Sequence, residues 1–243
     1  MKFLKAEDLK NRDEMADFGL HKRVIDEIKS LSLNPDAEIL IVGAGKGNLD
    51  RLLIKENFRN ITSVDINKEN YKISGTTFYQ FDLNNDWNFD NKKYDLILAV
   101  EIIEHIYSTE HFIQQIKRKL KKNGIAIITT PNVLEKNSRL AFCILGRLSY
   151  FNDKDITRTG HINPIFPHIL KWHLKKNQLK IIKETYNRKY FDLLIVDTWK
   201  SFPYFLLKWL ITTLLKLIAL KKKILKESSI YMLFRNPNEK IKV

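Results

Sequence analysis

Three glycines and one aspartate carry the clearest chemical signal in this chain of 243 residues. Gly43, Gly45 and Gly47 follow the apolar run 39–42 and precede a helix pattern, and Asp65 ends the next apolar run. Glycine permits a tight turn and a close approach of a ligand, because it has no Cβ. A carboxylate can accept hydrogen bonds from both hydroxyls of a ribose. This layout is typical of a site for an adenosine-containing cofactor at the carboxyl end of a parallel sheet.

The spacing of the glycines distinguishes between kinds of adenosine cofactor. In the dinucleotide pattern G-x-G-x-x-G the third glycine would fall at Asn48, whereas here it comes one residue earlier, at Gly47. A G-x-G-x-G turn resembles that of class I methyltransferases, which use S-adenosylmethionine (SAM). We therefore expect SAM as the cofactor.

Two later segments are similar to the same family. The tripeptide Phe81-Asp82-Leu83 closes a third strand pattern at 76–81. The strand pattern 94–100 is followed by Glu101-Ile102-Ile103-Glu104-His105-Ile106, which resembles the fourth-strand motif of small-molecule methyltransferases such as those of ubiquinone biosynthesis. The resemblance extends over residues 20–135 and more loosely beyond.

The resemblance implies which residues contact the cofactor. Asp65 would bind the ribose, Asp82 would bind the adenine amino group, and Leu83 would cover the adenine ring. The full set implied is Gly43, Ala44, Gly45, Gly47, Asp65, Ile66, Asp82, Leu83, Val100 and Glu101. One position departs from the family, because Ile41 stands where an acid usually orients the methionine end of the cofactor. That departure favours the alternative of a non-catalytic protein with the same fold.

Methyl transfer to a hydroxyl requires a group that removes the hydroxyl proton. Glu104 and His105 follow the fourth strand pattern, and His161 resembles a recurrent histidine before the next helix. We consider these three residues candidate catalytic groups, with a hydrogen-bonded structural role as the alternative for each. The single cysteine, Cys143, excludes a Cys-cluster zinc site, and its apolar surroundings indicate packing in the core or in a lid. We expect no metal.

The elements that must position these residues alternate between strand and helix. Helix patterns occur at 21–33, 109–122 and 164–176, and strand patterns at 38–43, 60–65, 76–81, 94–100, 124–130, 179–184 and 229–234. The resemblance implies a Rossmann-like α/β fold. Its mostly parallel sheet would have seven strands in the order 3-2-1-4-5-7-6, with helices on both faces and the last strand antiparallel to the fifth.

We expect one methyltransferase domain over residues 1–243 with two additions. The first, 133–163, would overhang the carboxyl ends of the strands and contribute to the substrate site. The second, 198–227, is a basic, apolar helical insertion before the last strand.

The net charge of +14 is concentrated in the last third of the chain. Residues 1–170 contain 25 basic and 23 acidic residues, whereas residues 171–243 contain 17 and 5. The apolar run 202–220 includes Lys208 and Lys216, each of which would oppose membrane insertion by about 2.5–3.5 kcal/mol. We therefore expect a helix that lies on an anionic membrane surface through 202–226. Packing against the sheet or in a homodimer is the alternative.

The acceptor is less well defined than the cofactor. The charged segment Met1–Lys10 is no signal peptide, which favours a cytoplasmic location, peripheral to the inner face of the cell membrane. Residues 100–103 lack the motif of base-amino methyltransferases, and Cys143 lacks the Pro-Cys context of cytosine-carbon enzymes, so we expect no DNA. The apolar last third also disfavours RNA, although an RNA methyltransferase remains an alternative. We expect O-methylation of a small-molecule, glycan or lipid-linked acceptor.

Overall fold

The computed structural model describes residues 19–188 and 227–236. The strands are β1 (Glu38–Val42), β2 (Asn60–Asp65), β3 (Thr77–Gln80), β4 (Tyr94–Val100), β5 (Leu120–Pro131), β6 (Lys180–Arg188) and β7 (Glu227–Arg235). The helices are α1 (Leu20–Ser30), α2 (Asn48–Lys55), α3 (Thr109–Lys119), α4 (Lys136–Leu145), α5 (Asp153–Thr159) and α6 (Pro167–Lys176). Short 3₁₀ helices span Lys68–Asn70 and Ile103–His105.

The seven strands form one sheet in the order β3-β2-β1-β4-β5-β7-β6. The strands β1 to β5 pair with one another in parallel. Strand β7 is antiparallel to both β5 and β6. The predicted Rossmann-like architecture and strand order are thus confirmed. The order reverses between β1 and β4, and in open α/β sheets ligands bind at such a switch point, outside the carboxyl ends of the strands.

The core lies on both faces of the sheet, because successive side chains of a strand point to opposite sides. In β1, Ile39 and Ile41 belong to a cluster that includes the apolar faces of α1 and α2. Leu40 and Val42 belong to a second cluster, with apolar residues of α3 and α6. All four side chains are buried, so β1 is held from both sides and fixes the turn that follows it.

The boundary between α3 and β5 differs from the prediction. The helix ends at Lys119 instead of reaching 122, and the strand begins at Leu120 instead of 124. The ammonium of Lys119 is buried and lies 2.6 Å from Oδ1 of Asp90, and Leu120 already pairs with Tyr94 of β4. Residues 121–124 form an irregularity in β5, since the regular register resumes with Leu96 and Ile125.

The two additions differ in how much of them is described. The 133–163 segment contains α4 and α5. Cys143 is exposed on α4, so the expectation that it packs in the core was wrong, whereas packing in a lid stays a prediction. The apolar run 202–220 lies outside the described residues. In the part of the chain that the structure describes, no helix is long and apolar enough to cross a membrane.

Candidate active site

The glycine turn after β1 is joined to the end of β2. The amides of Gly43 and Ala44 both donate to the carbonyl of Val64, at 2.9 and 3.1 Å. The amide of Gly47 donates to the carbonyl of Ala44. Gly43, Gly45 and Gly47 have φ angles of 74°, 54° and 77°, in the region that disfavours side chains with a Cβ. The three glycines therefore permit the chain to turn tightly from β1 into α2.

Two isoleucine side chains lie directly on this turn. A Cβ on Gly43 would lie 2.7 Å from the side chain of Ile102, and a Cβ on Gly47 would lie 2.2 Å from Ile73. Ile102 follows β4, and Ile73 belongs to the connection between β2 and β3. The lack of Cβ atoms thus allows segments from both sides of the switch point to contact the turn.

Asp65 joins the end of β2 to the glycine turn. Its Oδ2 accepts a hydrogen bond from the amide of Gly45 at 2.8 Å, and its Oδ1 accepts one from the amide of Asn67 at 2.9 Å. A carboxylate has about four acceptor positions, so two remain for a ligand. The next side chain, Ile66, is 65% exposed and offers an apolar surface beside the carboxylate. A ribose with an adjoining base fits this arrangement.

The predicted adenine-binding pair follows β3. Oδ1 of Asp82 accepts hydrogen bonds from the amide and from the side chain of Asn84, both at 2.9 Å. Leu83 is buried in the core. Oδ1 of Asn84 in turn accepts from the amide of Tyr107 at 2.9 Å, which ties the loop after β3 to the segment after β4.

Glu101 follows Val100 at the end of β4 and has a φ of 50°. Its amide donates to both the carbonyl and Oγ1 of Thr129, and Oγ1 donates to its Oε1 at 2.9 Å. Positive φ angles are uncommon for residues other than glycine, and such strain clusters at functional sites. Contacts with β5 therefore hold Glu101 in an unusual conformation at the switch point.

The three predicted catalytic candidates lie together. Glu104 and His105 belong to the 3₁₀ helix after β4, and each can place a ligating atom within 4.8 Å of one from His161. The rings of His105 and His161 meet edge to face, with centroids 4.8 Å apart. The carboxylate of Glu104 is buried and accepts a hydrogen bond from Oγ1 of Thr130 at 3.0 Å. We call Glu104, His105 and His161 the carboxylate–histidine cluster.

Backbone hydrogen bonds bring His161 to this cluster across a long stretch of sequence. The carbonyl of Glu104 accepts from the amides of Ile162 and Asn163 at 3.1 and 2.9 Å. The side-chain amide of Asn163 donates to the carbonyl of Ile106 and to Thr109. The end of the 133–163 segment is thereby fixed to the carboxyl end of β4.

The protonation of His105 follows from its surroundings. Burial lowers its pKa, and the neighbouring His161 lowers it further, whereas a backbone hydrogen bond with Gly160 and the carboxylate of Asp65 act in the opposite direction. The pKa of His105 is therefore below its ordinary value, and the imidazole is neutral at pH 7. A neutral imidazole can accept a proton or bind a metal ion.

The sequence did not point to Asp50, a buried carboxylate beneath the glycine turn. Its Oδ1 accepts hydrogen bonds from Ser63 and from the hydroxyl of Tyr71, the latter at 2.7 Å. Its Oδ2 makes no hydrogen bond among the described residues. A signal was present, because Asp50 falls on the same helical face as Leu53 and beside Leu49. Burial raises the pKa of Asp50 above its ordinary value.

Replacing Asp50 with asparagine is expected to raise the melting temperature at pH 8 by a few degrees but not at pH 4. Because the folded-state pKa is raised, the folded protein binds more protons than the unfolded chain, and its stability falls as pH rises through this range. Asparagine removes that ionisation, and its carbonyl can still accept from Ser63 and Tyr71. Thermal unfolding of both proteins at several pH values measures the difference. Parallel pH profiles would contradict this account.

Comparison with known proteins gives consistent results. A family model described as "Methyltransferase domain" matches residues 16–184. Proteins named "Ubiquinone biosynthesis O-methyltransferase" are similar to this chain. That of Rickettsia canadensis is 34% identical over 41% of this chain and 44% of its own length. The protein of that name from Pelagibacter ubique is 30% identical over 45% of this chain and 47% of its own length. The match thus spans about half the length of these curated relatives.

Solved structures resemble the fold as a whole. A SAM-dependent methyltransferase from Archaeoglobus fulgidus has a TM-score of 0.65 and 15% identity, covering 96% of this chain and 100% of its own. The N-methyltransferase NodS from Bradyrhizobium japonicum, in complex with S-adenosyl-L-homocysteine, has a TM-score of 0.56 and 12% identity. The likeness covers 96% of this chain and 93% of NodS. At such identities the likeness concerns the fold alone.

Proposed function

Since the chain belongs to the methyltransferase domain family, we propose that it transfers a methyl group from SAM to an oxygen of a small-molecule acceptor. The observation that carries this proposal is the hydrogen bond between Gly45 and Asp65. It joins the predicted cofactor turn to the predicted ribose carboxylate at the switch point of the sheet.

The residues of the site fit SAM. The glycine turn would hold its methionine end, Asp65 would bind the ribose hydroxyls, and Ile66 would contact the adenine. Bound SAM supplies a methyl group that is activated by its sulfonium. The chain's own residues then orient the acceptor and exclude water from the reacting atoms.

The carboxylate–histidine cluster favours oxygen as the acceptor atom. A hydroxyl must lose a proton as its oxygen forms the new C–O bond and the C–S bond of SAM breaks. The neutral imidazole of His105 can take that proton, and His161 is the second candidate for this role. The relatives named as O-methyltransferases support the same acceptor atom.

The exposed face of α4 supports an apolar acceptor. Phe142 is 56% exposed and Leu145 is 50% exposed, on the segment whose far end carries His161. A quinone-like or lipid-linked molecule would bind such a surface better than a glycan.

We expect the purified protein to bind SAM at a stoichiometry of one and to transfer a labelled methyl group from SAM to a component of a cell extract. Calorimetry measures the binding, and extraction of the labelled product measures the transfer. Absence of heat at high micromolar SAM, with folded protein, would overturn the proposed function. Binding without transfer would favour a scaffold, and loss of the labelled product after ribonuclease treatment would favour an RNA acceptor.

A further inference from the structure

The glycine turn carries one charged side chain, that of Lys46. This lysine lies between Gly45 and Gly47 and is exposed. Its ammonium forms no hydrogen bond or ion pair with the residues that the structure describes. We propose that Lys46 binds the carboxylate at the methionine end of the cofactor, an inference that rests on the proposed function and assigns one end of SAM to one side chain.

Acidic side chains flank the turn on both sides. Strands β2 and β4 are the neighbours of β1 in the sheet, and Asp65 ends β2 while Glu101 follows β4. A carboxylate brought between these two acids would be repelled, because like charges at short range cost energy. The sulfonium and the ammonium of SAM meet no such obstacle. Its carboxylate is thus the group that needs a cation here, and Lys46 supplies that cation.

The chain before Lys46 points to the same polarity. Ile41 and Val42 are buried and apolar, and the segment 41–47 contains one lysine and no acid. The acid that the family resemblance implies at position 41 is therefore missing from a turn that has gained a lysine. Both departures make this turn more positive, so it suits a carboxylate better than an ammonium.

The backbone places Lys46 next to the predicted ribose contact. The amide of Gly45 donates to Asp65 at 2.8 Å, and Lys46 follows after one Cα step of about 3.8 Å. A lysine has a flexible four-carbon stem and three donors, so its ammonium can reach a group that extends from the ribose. The next cation along the chain, Arg51, already donates to Oδ1 of Asn48 at 2.9 Å.

Calorimetry with two ligands tests this contact. One is S-adenosyl-L-homocysteine, and the other is its decarboxylated analogue, which keeps the ammonium. Lys46→Met removes the charge but keeps a side chain of similar length. We expect this variant to bind S-adenosyl-L-homocysteine about three- to tenfold more weakly than the wild-type protein. Its affinity for the decarboxylated analogue should not fall.

Two further variants serve as controls. Lys46→Arg should retain most of the affinity for S-adenosyl-L-homocysteine, because a guanidinium also binds a carboxylate. Lys55→Met removes an exposed lysine at the other end of α2 and causes the same change in net charge. It should leave the affinity for both ligands unchanged.

Three results would overturn the proposal: unchanged affinity of Lys46→Met for S-adenosyl-L-homocysteine, an equal loss for the decarboxylated analogue, or an equal loss in Lys55→Met. Methyl transfer by the wild-type protein separates this contact from the proposed function. Transfer together with any of these three results overturns the contact alone. Binding that depends on Lys46, without transfer to any component of a cell extract, supports the contact and overturns the proposed function. A folded wild-type protein that binds neither SAM nor S-adenosyl-L-homocysteine overturns both.

Discussion

Replacing Asp65 with alanine is expected to weaken the binding of SAM by about two orders of magnitude. The carboxylate has two acceptor positions left after its hydrogen bonds with Gly45 and Asn67. Hydrogen bonds to a charged group contribute about 1.5–3 kcal/mol each. The loss of two such bonds to the ribose therefore corresponds to about a hundredfold or more in affinity. Calorimetry with SAM, below the melting temperature of the variant, measures the change.

Two further variants separate the ribose contact from the support of the turn. Asp65→Asn keeps the size of the side chain and one acceptor oxygen, so we expect a smaller loss of about tenfold. Asp36→Ala removes an exposed carboxylate before β1, which contacts only the surface residue Arg59 at 3.4 Å among the ion pairs of the described residues. It should leave the affinity unchanged. Unchanged affinity in Asp65→Ala would remove the ribose assignment.

The fold could be predicted because local patterns and the family resemblance agree. The apolar runs predict the strands β1, β2 and β4, and the glycines predict the turn after β1. The resemblance supplies the parallel arrangement of these strands and the antiparallel β7. The end of α3 could not be predicted, because the buried ion pair of Lys119 with Asp90 depends on contacts between distant segments. A lysine near the C-terminal end of a helix is an ordinary signal that the helix ends. The periodicity of the helix pattern therefore does not reveal that the side chain of Lys119 is buried.

The members of the candidate site were predicted, but their assembly was not. Glu104, His105 and His161 each stood out as a residue type at the end of an element. They are joined by hydrogen bonds that the backbone amides of Ile162 and Asn163 donate to the carbonyl of Glu104. Backbone contacts have no residue-type signature, so the sequence alone indicated separate candidates for a base. In the structure, polar atoms of these three side chains lie within 4.8 Å of one another.

Replacing Gly47 with alanine is expected to destabilise the protein by about 3 kcal/mol and to weaken SAM binding strongly. The φ of Gly47 is 77°, a conformation that costs a residue with a Cβ about 1–2 kcal/mol. The new Cβ would also lie 2.2 Å from Cγ1 of Ile73 and 3.2 Å from the ring of Tyr71, and such overpacking costs about 1–3 kcal/mol. Displacement of Tyr71 would disturb its hydrogen bond with Asp50 beneath the turn. Thermal unfolding and calorimetry measure the two effects.

The chain offers a matched control for the steric part of this effect. Gly75 has a similar φ, 83°, but a Cβ there would meet nothing within 4 Å. The free energy of unfolding of Gly75→Ala should therefore fall only by the cost of the positive φ, about 1–2 kcal/mol. This variant should retain its affinity for SAM. The difference between the two variants measures the contact of the glycine turn with Ile73 and Tyr71. Equal losses of stability and affinity in both variants would show that this contact does not shape the cofactor site, and the third glycine would then serve the backbone turn alone.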